Sequence, residues 1–507
     1  MSLMGLDVGT TGTKATVFDV EGRALASAYR EYPMLQPQHG WLELDPRTVW
    51  QKVREAVGEA AASAPGDPVQ AFAVSTLGEA AVPADAKGEI LDNSIIGFDN
   101  RTSALFQDWI DRQDRAEIMR ITGQPPSQLF TIVKLMWIKQ SRPDLYRRMA
   151  RYLTFGDFLH LMMGLEPKVD YSMAARTMAF DIHRKCYSDK VCDAAGVCSD
   201  LFSKPVPTGT IVGELGGRAA HALGLPPGCI VVAGAHDQPA GALGSGVTAP
   251  RVAMDATGTV ECFAVAMAEP VVNETMLNGN IACYPHATDG LYVALAVNFS
   301  GGSLFRWVRD VLGTAEAEEA GKSGRDVYDL LIEQMTDEPT DLFVVPHFTM
   351  TGTPHMDGNP VGAMIGLTLG TQRGQLLRAA LEGISYEMKL NLHMLSKAGA
   401  DVEEFRAIGG GAKSDFWLQL KADMYNRRIV RLEVAEAASL GMAIAAGVAA
   451  GVYASSAEAA ARLIVPRDEF TPDAARAQYY EERFDQYREL YPTLKAWQRK
   501  VGYRQTP

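Results

Sequence analysis

The turn from Asp7 to Lys14 is the first segment whose residue types suit chemistry, and it reads Asp-Val-Gly-Thr-Thr-Gly-Thr-Lys. Its two glycines allow backbone conformations that point N–H groups into a concavity, and its threonine hydroxyls add further donors. Such a nest suits phosphate oxygens, Lys14 adds positive charge, and Asp7 could hold Mg²⁺ through water. The alternative is a glycine hairpin with exposed threonines, because a short Gly/Thr turn has low specificity and the usual phosphate loop GxxxxGK[ST] does not occur.

A second segment places an acid at the end of a predicted strand. An apolar run from Val231 leads through Gly234 to His236-Asp237-Gln238, and small residues then open a predicted helix. Open α/β sheets place their ligands at such strand ends, beside helix N-termini. Asp237 is therefore a candidate for accepting the proton of an attacking hydroxyl. The alternative is an aspartate that caps the helix, and His236 has no second ligand beside it that would make a metal site.

A third segment, Phe405-Arg-Ala-Ile-Gly-Gly-Gly-Ala-Lys-Ser-Asp-Phe-Trp417, runs from a predicted strand through three glycines into a predicted helix. Glycines at 409–411 allow a flat group, such as adenine or ribose, to approach the backbone closely. The alternative is a flexible turn between strand and helix.

These segments need elements that position them, and the first half reads as an α/β arrangement. Residues 4–32 predict three strands joined by two tight turns. Amphipathic patterning then predicts a helix around Trp50–Ala62, and Val69–Ser75 returns as a strand.

A related pattern starts near residue 252, where an apolar strand with Asp255 leads into a Gly258-Thr259 turn and a second apolar strand. We infer one internal duplication that holds a nucleotide between its halves. The predicted domains are residues 1–246 and 247–507, with a hinge in the Gly/Ser/Thr/Pro stretch Gly244–Pro250. Arg462–Pro507 reads as a polar, helix-rich tail.

Composition narrows the class of protein. The chain has 507 residues, 47% of them hydrophobic and 21% charged, which is typical of a globular protein with two large domains. With 48 Lys and Arg against 61 Asp and Glu, the net charge is −13. Such a chain lacks the broad positive field that nonspecific nucleic-acid binding requires, so neither nucleic acid nor an anionic membrane is expected as a partner.

We expect a cytoplasmic protein. The start of the chain has no basic region followed by an apolar stretch and a cleavage site, so no signal peptide is predicted. Ala437–Ala457 carries no charge but is rich in Ala and Gly, which predicts a buried helix packed through small residues rather than a membrane span. Cys186, Cys192 and Cys198 are evenly spaced without a CxxC unit, which favours free thiols in a reducing compartment.

Taken together and in this order, these segments resemble the FGGY family of carbohydrate kinases over nearly the whole chain. The most specific stretch is Gly362-Ala-Met-Ile-Gly-Leu, then seven residues, then Gln375-Leu-Leu-Arg-Ala-Ala-Leu-Glu-Gly383, which fits the family's C-terminal signature. Supporting matches are Asp7-Val-Gly-Thr-Thr, Gly40-Trp-Leu-Glu-Leu-Asp-Pro46, Lys134-Leu-Met-Trp137, Gly156-Asp-Phe158, Gly234–Gly241, Asn298-Phe-Ser-Gly-Gly302 and Gly409–Ala412.

The resemblance implies a fold similar to actin, hexokinase and the 70-kDa heat-shock ATPases: two RNase H-like α/β domains around a central cleft. It implies ATP- and Mg²⁺-dependent transfer of the γ-phosphoryl group to a hydroxyl of a sugar or polyol, and a homodimer is a family-level expectation. When the family's residue roles are transferred to the matching positions of this chain, the resemblance implies that Asp237 is the general base and that Asp7 lies near Mg²⁺. The remaining implied contacts to ATP are Thr10, Thr11, Gly12, Lys14, Gly258 and Thr259 on the phosphates, and Gly302, Gly410, Gly411 and Asp415 along the adenosine.

The sequence departs from the family where the sugar is bound. Ser75-Thr-Leu-Gly-Glu-Ala80 replaces the Gln-Met-His-Gly of xylulose kinases; glycerol kinases have Arg-Glu, of which only Glu79 remains, and Leu129 takes the place of their tyrosine. Losing both contacts disfavours glycerol. Glu79 can accept two sugar hydroxyls, and Asp99, Arg101 and Gln238 are expected to join it. Thr351-Gly-Thr-Pro354 is a second departure, where many relatives have Glu-Arg-Thr-Pro.

The chain looks nearest to the xylulose-kinase branch, so the predicted substrate is a ketopentose such as xylulose. Alternatives within the family are another ketose, a polyol or a sugar acid. A different class is an actin- or chaperone-like ATPase that acts on protein partners, since it shares the Asp/Gly/Thr turns. A further alternative is a catalytically silent sugar sensor, which retention of Asp7, Thr10, Lys14, Asp237 and Thr259 disfavours.

Overall fold

Alternating apolar residues at the start of the chain form a strand, a glycine turn and a returning strand, as predicted. The computed structural model describes residues 1–434 and 436–503. In chain order, the first half contains β1 (Ser2–Val8), β2 (Gly12–Asp19), β3 (Ala24–Glu31), β4 (Glu43–Leu44), α1 (Pro46–Ala62), β5 (Val69–Thr76), β6 (Ala81–Ala84), β7 (Ser94–Ile95), α2 (Ser103–Ile110), α3 (Arg115–Thr122), α4 (Thr131–Ser141), α5 (Pro143–Arg148), β8 (Arg151–Thr154), α6 (Phe155–Met162), β9 (Lys168–Asp170), α7 (Tyr171–Ala175), β10 (Phe180–Asp181), β11 (Cys186–Tyr187), α8 (Asp189–Ala195), β12 (Lys204–Val206), β13 (Ile211–Glu214), α9 (Gly217–Leu223), β14 (Ile230–His236) and α10 (Asp237–Gly244).

The main sheet of this half has the strand order β13-β14-β5-β1-β2-β3. β1, β5 and β14 run parallel, whereas β2 and β3 continue the sheet antiparallel. The predicted helix near Trp50 is α1, which begins after the Asp45 cap with Pro46 in its first turn and buries Val49, Val53 and Val57. These valines pack in the same apolar core as β1 and β5.

The second half repeats this plan. It contains β15 (Val252–Thr257), β16 (Glu261–Met267), α11 (Glu274–Asn278), β17 (Ala282–Pro285), β18 (Tyr292–Asn298), α12 (Gly301–Leu312), α13 (Thr314–Ser323), α14 (Val327–Glu333), β19 (Phe343–Val345), β20 (Ala363–Ile365), α15 (Arg373–Ala398), β21 (Glu404–Gly409), α16 (Asp415–Tyr425), β22 (Arg428–Leu432), α17 (Ala437–Ala449), α18 (Ser456–Leu463), β23 (Pro466–Phe470) and α19 (Ala474–Val501).

The second main sheet has the order β17-β18-β16-β15-β21-β22-β23. Its central strands β15, β21 and β22 are parallel, and β16 and β18 continue antiparallel. Five strands of each main sheet have the same order and the same pattern of parallel and antiparallel pairs: β3-β2-β1-β5-β14 in the first half and β18-β16-β15-β21-β22 in the second. The two halves therefore share the repeated α/β fold that the pair of Asp/Gly/Thr segments predicts.

Within the uncharged segment Ala437–Ala457, a buried helix forms as predicted, but this helix, α17, ends at Ala449, and a turn then leads to α18. The helix α17 packs on β1, β5 and α10 of the first half. A Cβ added to Gly5 would lie 1.7 Å from the Ser439 oxygen, and one added to Gly441 would lie 2.1 Å from the Ala240 oxygen. Among the described residues, none of the helices combines the length and apolar character needed to cross a bilayer.

The polar tail contains more than helix. α19 dominates it, but β23 precedes this helix and pairs antiparallel with β22 at the sheet edge. The strand was not predicted because its sequence, Pro466-Arg-Asp-Glu-Phe470, is mostly charged and lacks the alternation of apolar and polar residues that indicates a strand. Each of the six cysteines is a free thiol, which includes Cys186, Cys192 and Cys198.

Candidate functional site

Parallel pairing brings the two candidate aspartates to one edge of the first sheet. Asp7 lies opposite Ser75 in the β1–β5 pair, and Ala235 lies opposite the same serine in the β14–β5 pair. Asp237 follows two residues later as the first residue of α10. Because carboxyl ends of parallel strands meet at one edge, this edge has the placement expected of a ligand site.

Asp237 is not the cap of its helix, since His236 occupies the N-cap position. Its side chain is 37% exposed, yet Oδ1 is buried and has no hydrogen-bond partner in the described part of the chain. The Nε2 atom of His236 lies 3.1 Å away without hydrogen-bond geometry. Burial, followed by repulsion from Asp7 and Glu79, raises the pKa of the Asp237 carboxyl to about 7, the range that suits a general base.

His236 is held from the opposite half of the molecule. Its Nδ1 lies 2.9 Å from the hydroxyl of Tyr284 on β17. Burial and the nearby Arg176 guanidinium lower the pKa of His236 well below its usual range, so the ring is neutral. A Cβ added to Gly78 would lie 2.8 Å from Nε2, so this glycine leaves room for the ring.

The first Gly/Thr turn is a hydrogen-bonded hairpin whose threonine side chains at 10 and 11 are accessible to solvent. The Gly9 amide donates to the Gly12 carbonyl at 2.9 Å, and a Cβ on Gly12 would overlap the ring of Tyr29. Thr10 is half-buried and Thr11 is exposed, so both can face a ligand. Lys14 Nζ pairs with Glu436 at 2.7 Å, just before α17, so its charge is shared with that carboxylate.

Asp7 has the chemistry of a hard-cation ligand. The hydroxyl of Ser75 donates to its Oδ1 at 2.9 Å. Burial first, and then repulsion from Glu436, raise the pKa of the Asp7 carboxyl despite that hydrogen bond. A partly buried carboxylate beside a phosphate-type turn fits Mg²⁺, whose charge would relieve this cost.

Glu79 has a partner that sequence reasoning missed. Arg176, which follows α7, directs Nε to Glu79 Oε1 at 2.7 Å, and its Nη2 also contacts this oxygen. The two side chains are 9% and 13% exposed. Glu79 has a φ of 64°, and its carbonyl accepts from buried Lys134 at 2.8 Å. Burial lowers the pKa of Lys134 to about 7.

The other predicted sugar contacts differ in whether their polar atoms already have partners within the protein. Asp99 is buried and accepts from the Leu42 amide at 2.6 Å and from Arg101. The Arg101 side chain is 3% exposed, pairs with Glu43 and lies 3.9 Å from the Trp41 ring centroid. The structure thus places Asp99 and Arg101 in a buried ion cluster.

Gln238 faces another environment, because its buried Oε1 has no hydrogen-bond partner among residues 1–434 and 436–503. An amide oxygen in that state is available to a ligand hydroxyl, since buried polar atoms are generally paired.

The second Gly/Thr turn lies against the start of α12. Gly302 donates its amide to the Gly258 carbonyl at 2.9 Å, and Ser303 donates to the Thr259 carbonyl at 3.0 Å. A Cβ on Gly302 would lie 2.4 Å from the Gly258 oxygen, so the close approach requires glycine. Three of the predicted nucleotide residues are therefore neighbours in space.

The glycine triplet at residues 409–411 packs against Thr257, next to the second Gly/Thr turn. Gly409 has a φ of 85°, and a Cβ on Gly411 would lie 2.6 Å from Thr257 Cγ2, so packing at the strand end accounts for these two glycines. Gly410 has no such crowding, since its nearest contact would be 3.9 Å away. Asp415 opens α16, is 77% exposed and pairs with Arg431 at 2.6 Å.

The two Asp/Gly/Thr turns differ in charge. Asp255, the counterpart of Asp7, is fully buried and pairs with Lys421 at 2.9 Å, and Lys421 also pairs with Glu261 at 2.6 Å. Sequence reasoning missed this cluster because Lys421 lies on α16, far along the chain. Asp255 is thus paired with a lysine, whereas in the described part of the chain Asp7 forms no salt bridge and accepts from the Ser75 hydroxyl.

Comparisons with known proteins agree along the whole chain. Residues 2–244 match the N-terminal domain of the FGGY family of carbohydrate kinases, and residues 253–450 match its C-terminal domain. Xylulose kinase of Bacillus subtilis (strain 168) is 27% identical over 495 residues, covering 97% of each chain. Autoinducer-2 kinase of Escherichia coli (strain K12) is 30% identical over 501 residues, 96% of this chain and 94% of that one.

A solved structure shares the fold. Ligand-bound xylulose kinase from Lactobacillus acidophilus has a TM-score of 0.89 and 23% identity, and the match covers 98% of each chain. The predicted fold of two α/β domains, as in a sugar kinase of this family, is thus confirmed.

Proposed function

The chain belongs to the FGGY family of carbohydrate kinases and is an ATP-dependent sugar kinase, and from that premise we propose that it phosphorylates a small neutral ketose, with a ketopentose such as xylulose as the expected substrate. The observation that carries this proposal is Asp237, whose buried and unpaired Oδ1 stands beside the Glu79–Arg176 pair at the end of β14. The name of the B. subtilis relative supports the choice of ketopentose.

Asp237 is proposed as the general base. It takes the proton of the substrate hydroxyl as the new oxygen–phosphorus bond forms, and the bond between the γ-phosphorus and its bridging oxygen breaks to release ADP. A carboxyl with a pKa of about 7 is matched to proton transfer near neutral pH.

The two Gly/Thr turns are proposed to hold the nucleotide. Backbone amides and hydroxyls suit phosphate oxygens, and Asp7 would hold Mg²⁺, which supplies charge neutralisation on the phosphates when bound. The proposed contacts are Thr10, Thr11, Gly12, Lys14, Gly258 and Thr259 for the phosphates, and Gly302, Gly410, Gly411 and Asp415 for the adenosine.

A neutral sugar fits the charges at the site better than a sugar acid. Arg176 is already paired with Glu79, so it offers no free positive charge to a carboxylate. Asp7, Glu79 and Asp237 would repel an anionic substrate in a region of reduced dielectric. Glu79 and Gln238 can instead accept hydrogen bonds from sugar hydroxyls, while Asp99 and Arg101 would act through the Trp41 loop that they support.

The test is a panel of pentuloses, hexuloses, polyols and sugar acids, assayed with ATP and Mg²⁺ for ADP release and for the phosphorylated product. We expect the highest kcat/KM for a ketopentose and little turnover of glycerol or sugar acids. A sugar acid as the best substrate would overturn the charge argument. ATP turnover that ignores every sugar yet responds to a protein partner would favour the ATPase alternative.

Autoinducer-2 is a second candidate substrate. The observation in its favour is the 30% identity with the E. coli autoinducer-2 kinase over 96% of this chain. The same panel decides, because a higher kcat/KM for autoinducer-2 than for every ketopentose would replace the first assignment.

A further inference from the structure

Two histidines and a glutamate form a cluster outside the residues assigned above. His347 follows β19, His355 lies in the segment between β19 and β20, and Glu387 lies in the middle of α15. One ligand atom from each lies within 4.8 Å of the others. We propose that the His347–His355–Glu387 cluster is a structural site for a divalent transition-metal ion, with Zn²⁺ as the expected occupant.

The buried polar atoms of the cluster support a bound cation. His347 is 0% exposed, and neither ring nitrogen has a hydrogen-bond partner among residues 1–434 and 436–503. Glu387 is 1% exposed, and within the same residues its Oε1 also lacks a partner. Folded proteins rarely bury such atoms unpaired, and a bound ion is a recognised reason when they do.

The ligand types and spacing suit zinc. Two imidazoles and one carboxylate are a known zinc ligand set, and tetrahedral coordination at about 2.0–2.1 Å puts ligand atoms about 3.4 Å apart. His347 Nε2 and Glu387 Oε2 are already 3.6 Å apart. Nitrogen-containing sets of this kind prefer the later first-row metals to Mg²⁺.

Neighbouring side chains hold the ligands in place. The Tyr487 hydroxyl on α19 donates to Glu387 Oε2 at 2.7 Å. The ring of Tyr491, one turn further along, lies 4.5 Å from the centroids of both imidazoles. Such outer contacts commonly orient metal ligands.

The cluster is accessible from one side. His355 is half-buried, whereas His347 and Glu387 are buried, so an ion can reach the cluster from solvent past His355.

An ion here would join two separate parts of the second half, the segment between β19 and β20 and the helix α15. The segment between β19 and β20 packs against the end of β18, because a Cβ on Gly352 would lie 1.8 Å from the Val297 oxygen and Thr353 bonds the same residue. β18 leads directly to Gly301 at the start of α12. The ion would therefore fix this segment to α15, and α19 would contact the site through the hydrogen bond from Tyr487 to Glu387.

The test uses the full-length chain, stripped with a chelator and kept in millimolar Mg²⁺ so that oxygen-ligand sites stay occupied. Zn²⁺ alone is titrated by calorimetry, bound metal is counted by mass spectrometry, and Tm is measured with and without Zn²⁺. The variants are His355→Gln and Glu387→Gln. His221→Gln, an exposed histidine on α9, is the matched control.

We expect one equivalent of Zn²⁺ and a raised Tm in the wild type and in His221→Gln. Both ligand variants should bind more weakly by more than the about 10–100-fold that is typical when only an outer contact is lost, and both should lose the Tm increase. Co²⁺ should give the absorption spectrum of a four- or five-coordinate ion in the wild type and in His221→Gln, but not in the two ligand variants. A wild type that takes up no stoichiometric zinc, or a folded His355→Gln that binds it unchanged, would overturn the proposal; His355→Gln decides alone if Glu387→Gln does not fold.

Discussion

At the scale of single residues, the behaviour of Asp237 depends on its surroundings rather than on its type. Burial and the carboxylates of Asp7 and Glu79 raise its pKa to about 7, while Arg176 acts in the opposite direction. A surface aspartate would be a weak base at neutral pH, because its pKa lies near 4. The place of Asp237 at the strand end therefore gives this carboxyl the raised pKa that the proposed role as base requires.

The first prediction concerns Asp237→Asn. We expect kcat to fall about 10²–10⁴-fold, the usual contribution of a general base. The wild-type kcat/KM should fall about tenfold per pH unit below the pKa of about 7, since the protonated carboxyl cannot accept a proton. Steady-state kinetics between pH 5.5 and about 9 measure both effects.

We expect Asp237→Asn to raise the free energy of unfolding even though it lowers kcat. The folded-state pKa of Asp237 is raised, so the favourable protonated form is lost as the pH rises through about 7. Asparagine does not ionise, so the variant does not lose this stability. At pH about 8 its free energy of unfolding should be about 1 kcal/mol higher than that of the wild type. The expected difference is small because solvent screens a side chain that is 37% exposed. Near-complete retention of kcat would disprove the assignment of Asp237 as base.

The second prediction concerns the pair of Glu79 and Arg176. Arg176→Gln leaves a nearly buried carboxylate unpaired, so we expect a loss of about 3–5 kcal/mol of stability and a higher sugar KM with little change in the ATP KM. Denaturant unfolding and initial rates measure these effects. Adding Glu79→Gln should recover part of the stability, because it removes the unpaired charge.

A surface pair provides the control for that cycle. Arg147 and Asp144 form an ion pair with side chains 70% and 87% exposed, and Arg147→Gln should cost less than about 1 kcal/mol. Fully additive effects at Glu79 and Arg176 would show that the pair is not coupled.

At the scale of elements, small residues set the position of the helix α10, whose first residue is the proposed base. α10 begins with Asp237 and packs against α17, and glycines on both helices allow their backbones to approach. Gly244 could not carry a Cβ without meeting the Ala437 oxygen at 1.7 Å. The Ala/Gly composition of α17 thus serves close packing beside the strand end that carries the proposed base.

The third prediction tests this packing with Gly441→Ala. Its Cβ would lie 2.1 Å from the Ala240 oxygen, so the helices must separate. We expect a loss of about 1–3 kcal/mol and a fall in kcat of up to about a hundredfold, because small displacements of catalytic groups are costly. Calorimetry and kinetics measure the two.

Gly321→Ala is the matched control, because nothing lies within 4 Å of its added Cβ in α13. Alanine there should be neutral or stabilise by up to about 1 kcal/mol. Equal effects at the two glycines would mean that close packing of α17 is not what constrains Gly441.

At the scale of the whole molecule, the two halves contact each other at His236, next to the proposed base Asp237. The His236–Tyr284 hydrogen bond joins β14 of one half to β17 of the other. Domain closure around substrates is a common way to exclude water and assemble a site. A contact that crosses the halves next to Asp237 can therefore influence both stability and turnover.

The fourth prediction concerns Tyr284→Phe, which leaves the buried Nδ1 of His236 without its partner. We expect about 1–3 kcal/mol of lost stability and a lower kcat at a nearly unchanged KM, because His236 adjoins the base. Tyr292→Phe is the control: its hydroxyl contacts Lys185 of the other half at 2.9 Å, away from Asp237. Loss of stability without loss of kcat is expected there, and equal kcat losses in both variants would contradict the positioning role.

The sequence by itself determined the local pieces and their chemistry. Strand, glycine turn and returning strand at Asp7–Lys14, the acid after the apolar run at Asp237, and the buried helix near residue 440 all follow from short-range patterns. Periodicity and turn chemistry act over a few residues, so a linear reading captures them. The matching second turn also predicted the duplication that both sheets share.

The tertiary structure alone decided which groups meet. Arg176 reaches Glu79 across 97 residues, Lys421 neutralises Asp255 from 166 residues away, and His347 meets Glu387 from a separate element. A charge's pKa and availability depend on burial and on neighbours within a few ångströms. Since those neighbours come from distant segments, chemistry written in the sequence becomes a working site only when the chain packs.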